Sequence, residues 1–182
     1  MTKKVLIGNV EVGGGSSVKI QSMNNTDTRD AKATLAQIQE LADNGCDITR
    51  VAIPDMEAAE SLKEITSNSP IPVVADIHFD YRLALAAADN GASKIRINPG
   101  NIGGPENVKL VADKCKERHI PIRVGVNSGS ISREILSKYG EVNADAMTES
   151  ALGAVKLLED QDFDDIAVTF LLHRVIALHL AL

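Results

Sequence analysis

Apolar and polar residues alternate along six short stretches of the chain, and between these stretches apolar residues recur every three or four positions. The alternating stretches predict β-strands and the others predict amphipathic helices, because side chains change face at each strand residue but repeat about every 3.6 residues along a helix. The predicted strands are VKIQS (18–22), DITRVAI (47–53), VVADIHF (73–79), KIRIN (94–98), IRVGVN (122–127) and DIAVT (165–169). Strands that alternate with helices in this way predict a parallel sheet.

Residues that favour helix ends bound the helical stretches. These stretches lie at 30–44, at 56–66, at 81–90, from Pro105 through Cys115, and at 146–159. Gly45 and Gly91 follow two of them and can adopt the left-handed conformation that ends a helix, while Pro105 suits a first helical position. Ahead of the first strand, KKVLIGNVEVGGG (3–15) predicts a small β-hairpin that plugs the floor of a barrel.

Two architectures fit this pattern, a doubly wound open sheet and a (β/α)8 TIM barrel. A dinucleotide-binding sheet places a G-x-G-x-x-G turn after its first strand, whereas here that strand runs into SMNNTDT (22–28). Polar residues instead recur at the C-terminal ends of several strands, where barrels build their sites. We therefore predict a TIM-type barrel that is incomplete, with about six βα units, because a whole barrel takes about 200–250 residues or more.

One face of the predicted strands is apolar and suits packing on helices, whereas the other is charged or polar. In KIRIN, for example, Lys94, Arg96 and Asn98 share a face. Across the strands the second face carries Arg50, Asp76, His78, Arg96, Asn98, Arg123 and Asn127. Barrel interiors are normally apolar, and one carboxylate cannot neutralise three buried guanidinium groups. The excess charge predicts a polyanionic ligand, because arginine holds phosphate oxygens through bidentate hydrogen bonds.

A purely structural set of ion pairs, between Asp76 and Arg96 or Arg50, is the alternative interpretation. His78 lies two residues from Asp76 on the same face, so it fits either a catalytic histidine or a core histidine. The loops NPGNIGG (98–104) and NSGS (127–130) offer backbone N–H groups near helix starts, a favourable setting for an anion. The cluster DTRD (27–30) is more typical of a helix cap than of a metal site.

Composition restricts the classes of partner. The chain has 182 residues, of which 44% are hydrophobic and 24% charged, as in a globular protein with a sizeable core. A formal net charge of -6 and 3% aromatic residues argue against a nucleic-acid surface. The start, MTKKVLIGNV, lacks the apolar segment of a secretory signal. We therefore expect a cytoplasmic protein that binds neither nucleic acid nor membrane.

The two cysteines, Cys46 and Cys115, have no CxxC spacing and occupy apolar positions of helix-like stretches. A free cysteine behaves as a small hydrophobic residue. We expect buried thiols at both positions, with neither a disulfide nor a metal site.

Five motifs occur in an order and at spacings that resemble one enzyme family. They are QSMNNTDT (21–28), TRVAIPDMEAAE (49–60), VADIHFDYRLAL (74–85), KIRINPGNIGG (94–104) and RVGVNSGS (123–130). Together they are similar to the N-terminal barrel of the 4-hydroxy-3-methylbut-2-en-1-yl diphosphate synthases, flavodoxin- or ferredoxin-dependent enzymes of the bacterial methylerythritol phosphate pathway. The resemblance runs from about Lys4 to Val168.

This resemblance implies a reductive ring opening of 2-C-methyl-D-erythritol 2,4-cyclodiphosphate to 4-hydroxy-3-methylbut-2-enyl diphosphate in isoprenoid biosynthesis. It implies a substrate clamp of Arg50, Arg96, Asn98, Arg123 and Asn127, with Asp76 and His78 as catalytic residues. In the family the electrons pass through a [4Fe–4S] cluster, whose cysteine and glutamate ligands belong to a separate C-terminal domain. That domain caps the barrel of the partner subunit in a homodimer, and flavodoxin or ferredoxin is the electron donor.

After Val168 the sequence departs from the family pattern, and Leu171 stands where the family has a lysine. We expect residues 1–169 to form a partial barrel domain and 170–182 to be an aberrant apolar tail, too short to span a bilayer, which takes about 20 residues. We expect the iron–sulfur domain to be absent, the chain to be inactive alone, and open strand edges and apolar faces to drive self-association.

Two further functions stay open on the sequence. One is a phosphate-binding TIM barrel without redox chemistry, similar to the pterin-using synthases. The other is a non-catalytic fragment that only self-associates through its open edges.

Overall fold

The computed structural model describes residues 3–127, 129, 131–171 and 179–181. An antiparallel hairpin contains β1 (Lys4–Ile7) and β2 (Val10–Gly13), and a second sheet contains β3 (Gln21–Met23), β4 (Ile48–Ala52), β5 (Val73–Asp76), β6 (Lys94–Ile97), β7 (Ile122–Asn127), β8 (Ile166–Leu171) and β9 (His179–Ala181). The helices are α1 (Ala31–Asp43), α2 (Met56–Asn68), α3 (Tyr81–Asp89), α4 (Pro105–Arg118), α5 (Arg133–Tyr139) and α6 (Ala144–Glu159).

Strands β3 to β8 pair in chain order, each parallel to the next. A doubly wound sheet reverses its strand order at a switch point, whereas a barrel adds each strand beside the one before it. The curled six-stranded sheet is therefore half of a TIM-type barrel, which confirms the predicted fold class. Across the described residues, no helix has both the length and the hydropathy that crossing a membrane requires.

Aspartates begin the first three helices. Asp30, Asp55 and Asp80 each accept a hydrogen bond from a backbone N–H in the first turn of α1, α2 and α3. These caps satisfy donors that have no partner inside the helix. The cluster at 27–30 thus caps a helix, as its sequence predicts, and Pro105 occupies the start of α4.

The face of the strands that was predicted to pack on helices forms the main hydrophobic core. Val51, Ile95, Ile97 and Val124 are fully buried there, together with Leu62 and other apolar residues of the helices. Burial of this apolar surface is the main favourable contribution to folding. The opposite face of the same strands lines the lumen of the half-barrel.

The hairpin packs at the N-terminal end of the lumen. Ile7 of β1 forms a separate apolar cluster with Ile48 of β4 and Val74 of β5, and Val10 and Val12 of β2 pack against it. Ile48 and Val74 lie on the lumen side of their strands, since both alternate with residues of the main core. The hairpin therefore closes this end, and the prediction of a hairpin beneath the barrel is confirmed.

Strand β5 ends at Asp76 rather than at 79, so His78 follows the strand instead of lying within it. Two further elements differ from the sequence prediction. Strand β3 begins at Gln21 rather than 18, because the Ile20 N–H donates to the Asp47 carboxylate, 2.8 Å away, instead of to a strand partner. Val18, three residues before this edge strand, is 96% exposed. Helix α5 was not predicted; it is short, and Ser132 and Gly140 define its ends.

The tail is only partly described. Strand β8 continues through Leu171, two residues beyond the predicted domain boundary, and β9 pairs with it in the antiparallel direction. The described sheet therefore ends in two edge strands, β3 and β9, rather than in β3 and β8. Residues 172–178 and 182 of the predicted tail lie outside the described residues.

Candidate anion-binding site

Three charged side chains occupy one level of the lumen on neighbouring strands. The register of β5, β6 and β7 pairs Asp76 with Arg96 and Arg96 with Arg123. Arg50 of β4 lies one level lower, beside Val74. The structure thus brings together the charged residues that the alternation of strand faces predicts.

Asp76 is shared between two arginines. Arg96 Nη1 donates to Asp76 Oδ1 at 3.0 Å, and Arg50 Nε lies 3.6 Å from Asp76 Oδ2. Asp76 is 3% exposed, so little solvent weakens these interactions. The alternative of a structural ion-pair set therefore applies to Arg50 and Arg96, but they divide a single carboxylate.

Gly125 of β7 leaves the space that Arg96 occupies. A Cβ atom at this position would lie 2.5 Å from Arg96 Nε and 2.6 Å from Arg96 Nη2. Any side chain there would displace the guanidinium group. Gly125 was not among the predicted site residues, although a glycine inside a strand is a known signal of close approach.

Arg123 has no ion pair among the described residues. Its Nε donates to the Thr169 hydroxyl at 2.9 Å, while its Nη1 is buried without a hydrogen-bond partner. Arg123 is 9% exposed, and burial, followed by repulsion from Arg50 and Arg96, lowers its pKa to about 10. This guanidinium group therefore contacts a hydroxyl but no carboxylate, and its Nη1 lacks an acceptor.

Lys94 is a further buried cation on the lumen side, and it was not among the predicted site residues. Its Nζ donates to Gln21 Oε1 at 3.2 Å. Burial, and to a smaller extent Arg123 and Arg50, lower the Lys94 pKa to about 7. Its position on the same strand face as Arg96 is the sequence feature that could have identified Lys94 as a site residue.

The remaining predicted residues lie beyond the level of Arg96 and Arg123, nearer the mouth of the lumen, which is its opening at the C-terminal ends of the strands. His78 follows β5, with Nε2 3.8 Å from Asp76 Oδ2 and 53% of its side chain exposed, so it is not a core histidine. Asn98 follows β6 and is buried, and its Oδ1 accepts from the Gly100 N–H at 3.1 Å. Asn127 ends β7 and is half-buried.

The lumen has a surplus of positive charge. Asp76 is the one acidic side chain among the buried polar residues of the described chain, and it faces three guanidinium groups. Arg50 Nε and Arg123 Nη1 are buried donors without hydrogen-bond partners. Such donors in a concave, cationic, poorly solvated setting favour an anion that brings several oxygen atoms.

The cysteines do not contribute to this site. Cys46 donates to the Ile48 carbonyl at 3.1 Å, and burial raises the pKa of the Cys115 thiol to about 12. Within the described ranges, no three His, Cys, Asp or Glu side chains are grouped so that they could hold a metal ion. Both thiols are buried and free, as predicted.

The fold and the lumen together define a class of protein, a TIM-type barrel with a cationic site near the C-terminal ends of its strands. Residues 2–179 match the family model of the GcpE TIM-barrel domain. The chain belongs to this family.

Curated relatives carry the name that the sequence motifs suggest. The chain is 60% identical over 168 residues to the 4-hydroxy-3-methylbut-2-en-1-yl diphosphate synthase (flavodoxin) of Clostridium acetobutylicum, covering 92% of this chain and 48% of the relative. It is 56% identical over 169 residues to the enzyme of the same name from Caldicellulosiruptor saccharolyticus, covering 93% and 49%. The predicted resemblance is confirmed, and the chain spans about half the length of these relatives.

Solved structures share the fold with less similar sequences. The dihydropteroate synthase of Yersinia pestis aligns with a TM-score of 0.61 at 8% identity, over 91% of this chain and 61% of that one. The type I 3-dehydroquinate dehydratase of Clostridium difficile aligns with a TM-score of 0.61 at 16% identity, over 93% and 81%. At these identities the likeness concerns the barrel fold alone.

Proposed function

We propose that this chain is the substrate-binding part of a 4-hydroxy-3-methylbut-2-en-1-yl diphosphate synthase, and that its lumen holds the diphosphate of 2-C-methyl-D-erythritol 2,4-cyclodiphosphate. The observation that carries the proposal is the buried Arg123 guanidinium group, which has one nitrogen without a partner. A buried cation in this state costs stability, and a phosphate oxygen supplies both the countercharge and the missing acceptor. The names of the relatives support this choice of ligand.

The arginines and asparagines have different roles in this proposal. Arg50, Arg96 and Arg123 hold phosphate oxygens, because the planar guanidinium group matches the spacing of two such oxygens. Asn98 and Asn127 lie beyond the arginine level, at the ends of β6 and β7. They bind the part of the ligand that lies nearer the mouth.

Asp76 and His78, the two predicted catalytic residues, have different roles in this proposal. Asp76 contacts Arg96 and Arg50, so in this proposal it positions the two guanidinium groups rather than touching the ligand. His78 is half exposed at the mouth, where the imidazole can reach both a bound ligand and solvent. This is the position that a group exchanging protons with the ligand needs.

The reduction also needs electrons, and the described residues do not fit the [4Fe–4S] cluster that the resemblance implies. Cys46 and Cys115 are both buried, and neither belongs to a group of metal-ligating side chains. We therefore assign no redox step to residues of this chain. We propose flavodoxin, which the relatives' names include, as the electron donor, with ferredoxin as the alternative and a homodimer as the assembly.

Calorimetric titration of the purified chain with the cyclodiphosphate tests the proposal. We expect weak binding that falls as salt concentration rises, because the contacts are ionic, and we expect Arg96→Ala to abolish it. Arg82→Ala is the matched control, since Arg82 is exposed and pairs with Asp80 at the start of α3. Binding that survives Arg96→Ala, or is lost equally in Arg82→Ala, would contradict the clamp.

An activity assay with added reductant tests the remaining predictions about this chain. Turnover of the cyclodiphosphate by the purified chain would show that the predicted inactivity is wrong. Binding without turnover supports the substrate-binding role. The absence of binding would leave self-association, or another phosphate ligand, as the better description.

A further inference from the structure

Lys94 lies at the floor of the anion site rather than in its mouth. On β6 it precedes Arg96 by two residues, so it is on the same face one level closer to the N-terminal end. The register places it beside Val74, which in turn lies beside Arg50. Val74 belongs to the apolar cluster that packs against the hairpin, so the hairpin covers the N-terminal end of the lumen below Lys94.

The surroundings of Lys94 contain no group that neutralises an ammonium ion. Lys94 is 3% exposed, and its hydrogen-bond partner is the neutral amide of Gln21, at 3.2 Å. The nearest buried carboxylate, Asp76, is already shared by Arg96 and Arg50. Burying an ammonium group beside a neutral partner favours its uncharged form.

The charged groups on the neighbouring elements add to this effect. Arg50 on β4 and Arg123 on β7 both repel a charged Lys94, and after burial they are the next causes of its lowered pKa, about 7. The hairpin brings apolar side chains to the floor, and its Lys4–Glu11 ion pair lies at the surface. Among the described residues, cations therefore surround Lys94 without a carboxylate of its own.

We propose that Lys94 is the proton acceptor of the anion site: above neutral pH it is largely neutral while the lumen is empty, and it becomes an ammonium group when a diphosphate binds. The inference rests on the proposed function, since it needs a polyanion in the lumen. A bound diphosphate reverses the sign of the local potential, because it adds negative charge next to the arginines that repel Lys94. Binding and proton uptake are then linked, and each strengthens the other.

The cyclodiphosphate suits a test of this linkage. Each of its phosphorus atoms carries one strongly acidic group, so the ligand exchanges no protons of its own near neutral pH. Any proton taken up on binding therefore comes to the protein. With Lys94 as acceptor, the association constant falls by up to about tenfold per pH unit above about pH 7.

Titration calorimetry at about pH 8, in two buffers with different ionisation enthalpies, counts the protons. We expect the wild-type chain to take up close to one proton per ligand bound, and Lys94→Met to bind with nearly no uptake. Lys109→Met is the control, because it makes the same substitution at an exposed lysine of α4 that pairs with Asp113 outside the lumen, and this variant should keep the uptake. Equal uptake in Lys94→Met and wild type, or none in wild type, overturns the proposal.

A second measurement does not depend on the ligand. In the free chain with ¹³C-labelled lysine, the NMR signal of the Lys94 side chain should titrate near pH 7, assigned by its loss in Lys94→Met. A midpoint near 10 overturns the proposal whether or not the cyclodiphosphate binds. A midpoint near 7 in a chain that does not bind the cyclodiphosphate contradicts the proposed ligand but keeps Lys94 as a neutral floor residue.

Discussion

The basic side chains on the two sides of the lumen differ in their ion-pair and hydrogen-bond partners. On the carboxylate side, defined by Arg50, Asp76 and Arg96, two guanidinium groups share one buried acid. On the neutral side, defined by Lys94 and Arg123, the cations have only an amide and a hydroxyl as hydrogen-bond partners, from Gln21 and Thr169. Two guanidinium groups are thus paired with a carboxylate on one side, whereas on the other side Arg123 and Lys94 have only neutral partners.

The residues of the carboxylate side therefore stabilise the free site, whereas those of the neutral side lack an anion that a ligand can supply. A buried ion pair is costly to break, because removing one partner leaves the other charged and unpaired. A buried cation without an anion already carries that cost in the free protein. We therefore expect substitutions on the two sides to change stability in opposite directions while both weaken ligand binding.

The largest effect is expected from Asp76→Asn. The substitution leaves the three lumen arginines without any buried countercharge, so we expect it to lower the free energy of unfolding by about 3–5 kcal/mol. Urea denaturation measures the change. Asp113→Asn is the matched control, because Asp113 forms an exposed ion pair with Lys109 along α4, and such pairs contribute little. Equal losses in the two variants would contradict the central role of Asp76.

Lys94 should make stability depend on pH. Its pKa is about 7 in the folded chain and 10.5 in the unfolded chain, so between these values the unfolded chain binds more protons. The free energy of unfolding therefore rises with pH across this window, by about 2–4 kcal/mol between pH 7 and 10.

Urea denaturation of wild type and Lys94→Met at several pH values isolates this contribution. The difference between the two curves should be largest at and below about pH 7, with the variant the more stable, and should shrink towards pH 10. A constant difference would mean that Lys94 stays charged in the folded chain.

The same replacement of arginine by methionine can be made on both sides, as Arg123→Met and Arg96→Met, and its effects on stability compared. Arg123→Met removes a cation without a carboxylate and should leave stability unchanged or raise it by about 1–3 kcal/mol. Arg96→Met takes a partner from Asp76 and should destabilise the chain. Urea midpoints measure both changes, and a loss of stability in Arg123→Met comparable to that in Arg96→Met would show that the two sides are equivalent.

The smallest effect is expected at Gly125. Gly125→Ala places a Cβ atom against the Arg96 guanidinium, which must move, so we expect affinity for the cyclodiphosphate to fall by about tenfold, or about 1.4 kcal/mol. Gly153→Ala, on α6 with open space around it, controls for the substitution itself. Calorimetry that finds equal affinities in the two variants would contradict the close approach.

The alternation of side chains along the strands was sufficient to predict the fold class and the grouping of Asp76, Arg96 and Arg123. This worked because parallel strands in register carry alternate residues to the same level of a barrel. The sequence could not show that Asp76 serves two arginines, since that depends on side-chain geometry across strands. Nor could it predict β9 or the isolation of Lys94, because both depend on neighbours that are distant in the chain.

The most direct test is a crystal structure of the chain with the cyclodiphosphate. We predict phosphate oxygens within hydrogen-bond distance of Arg123 Nη1 and Arg50 Nε, two lumen donors that are buried without a hydrogen-bond partner in the described part of the free chain. The Asp76–Arg96 contact should persist in that complex. A ligand bound outside the lumen, with Arg123 Nη1 still without an acceptor, would contradict the assignment of the lumen as the diphosphate site.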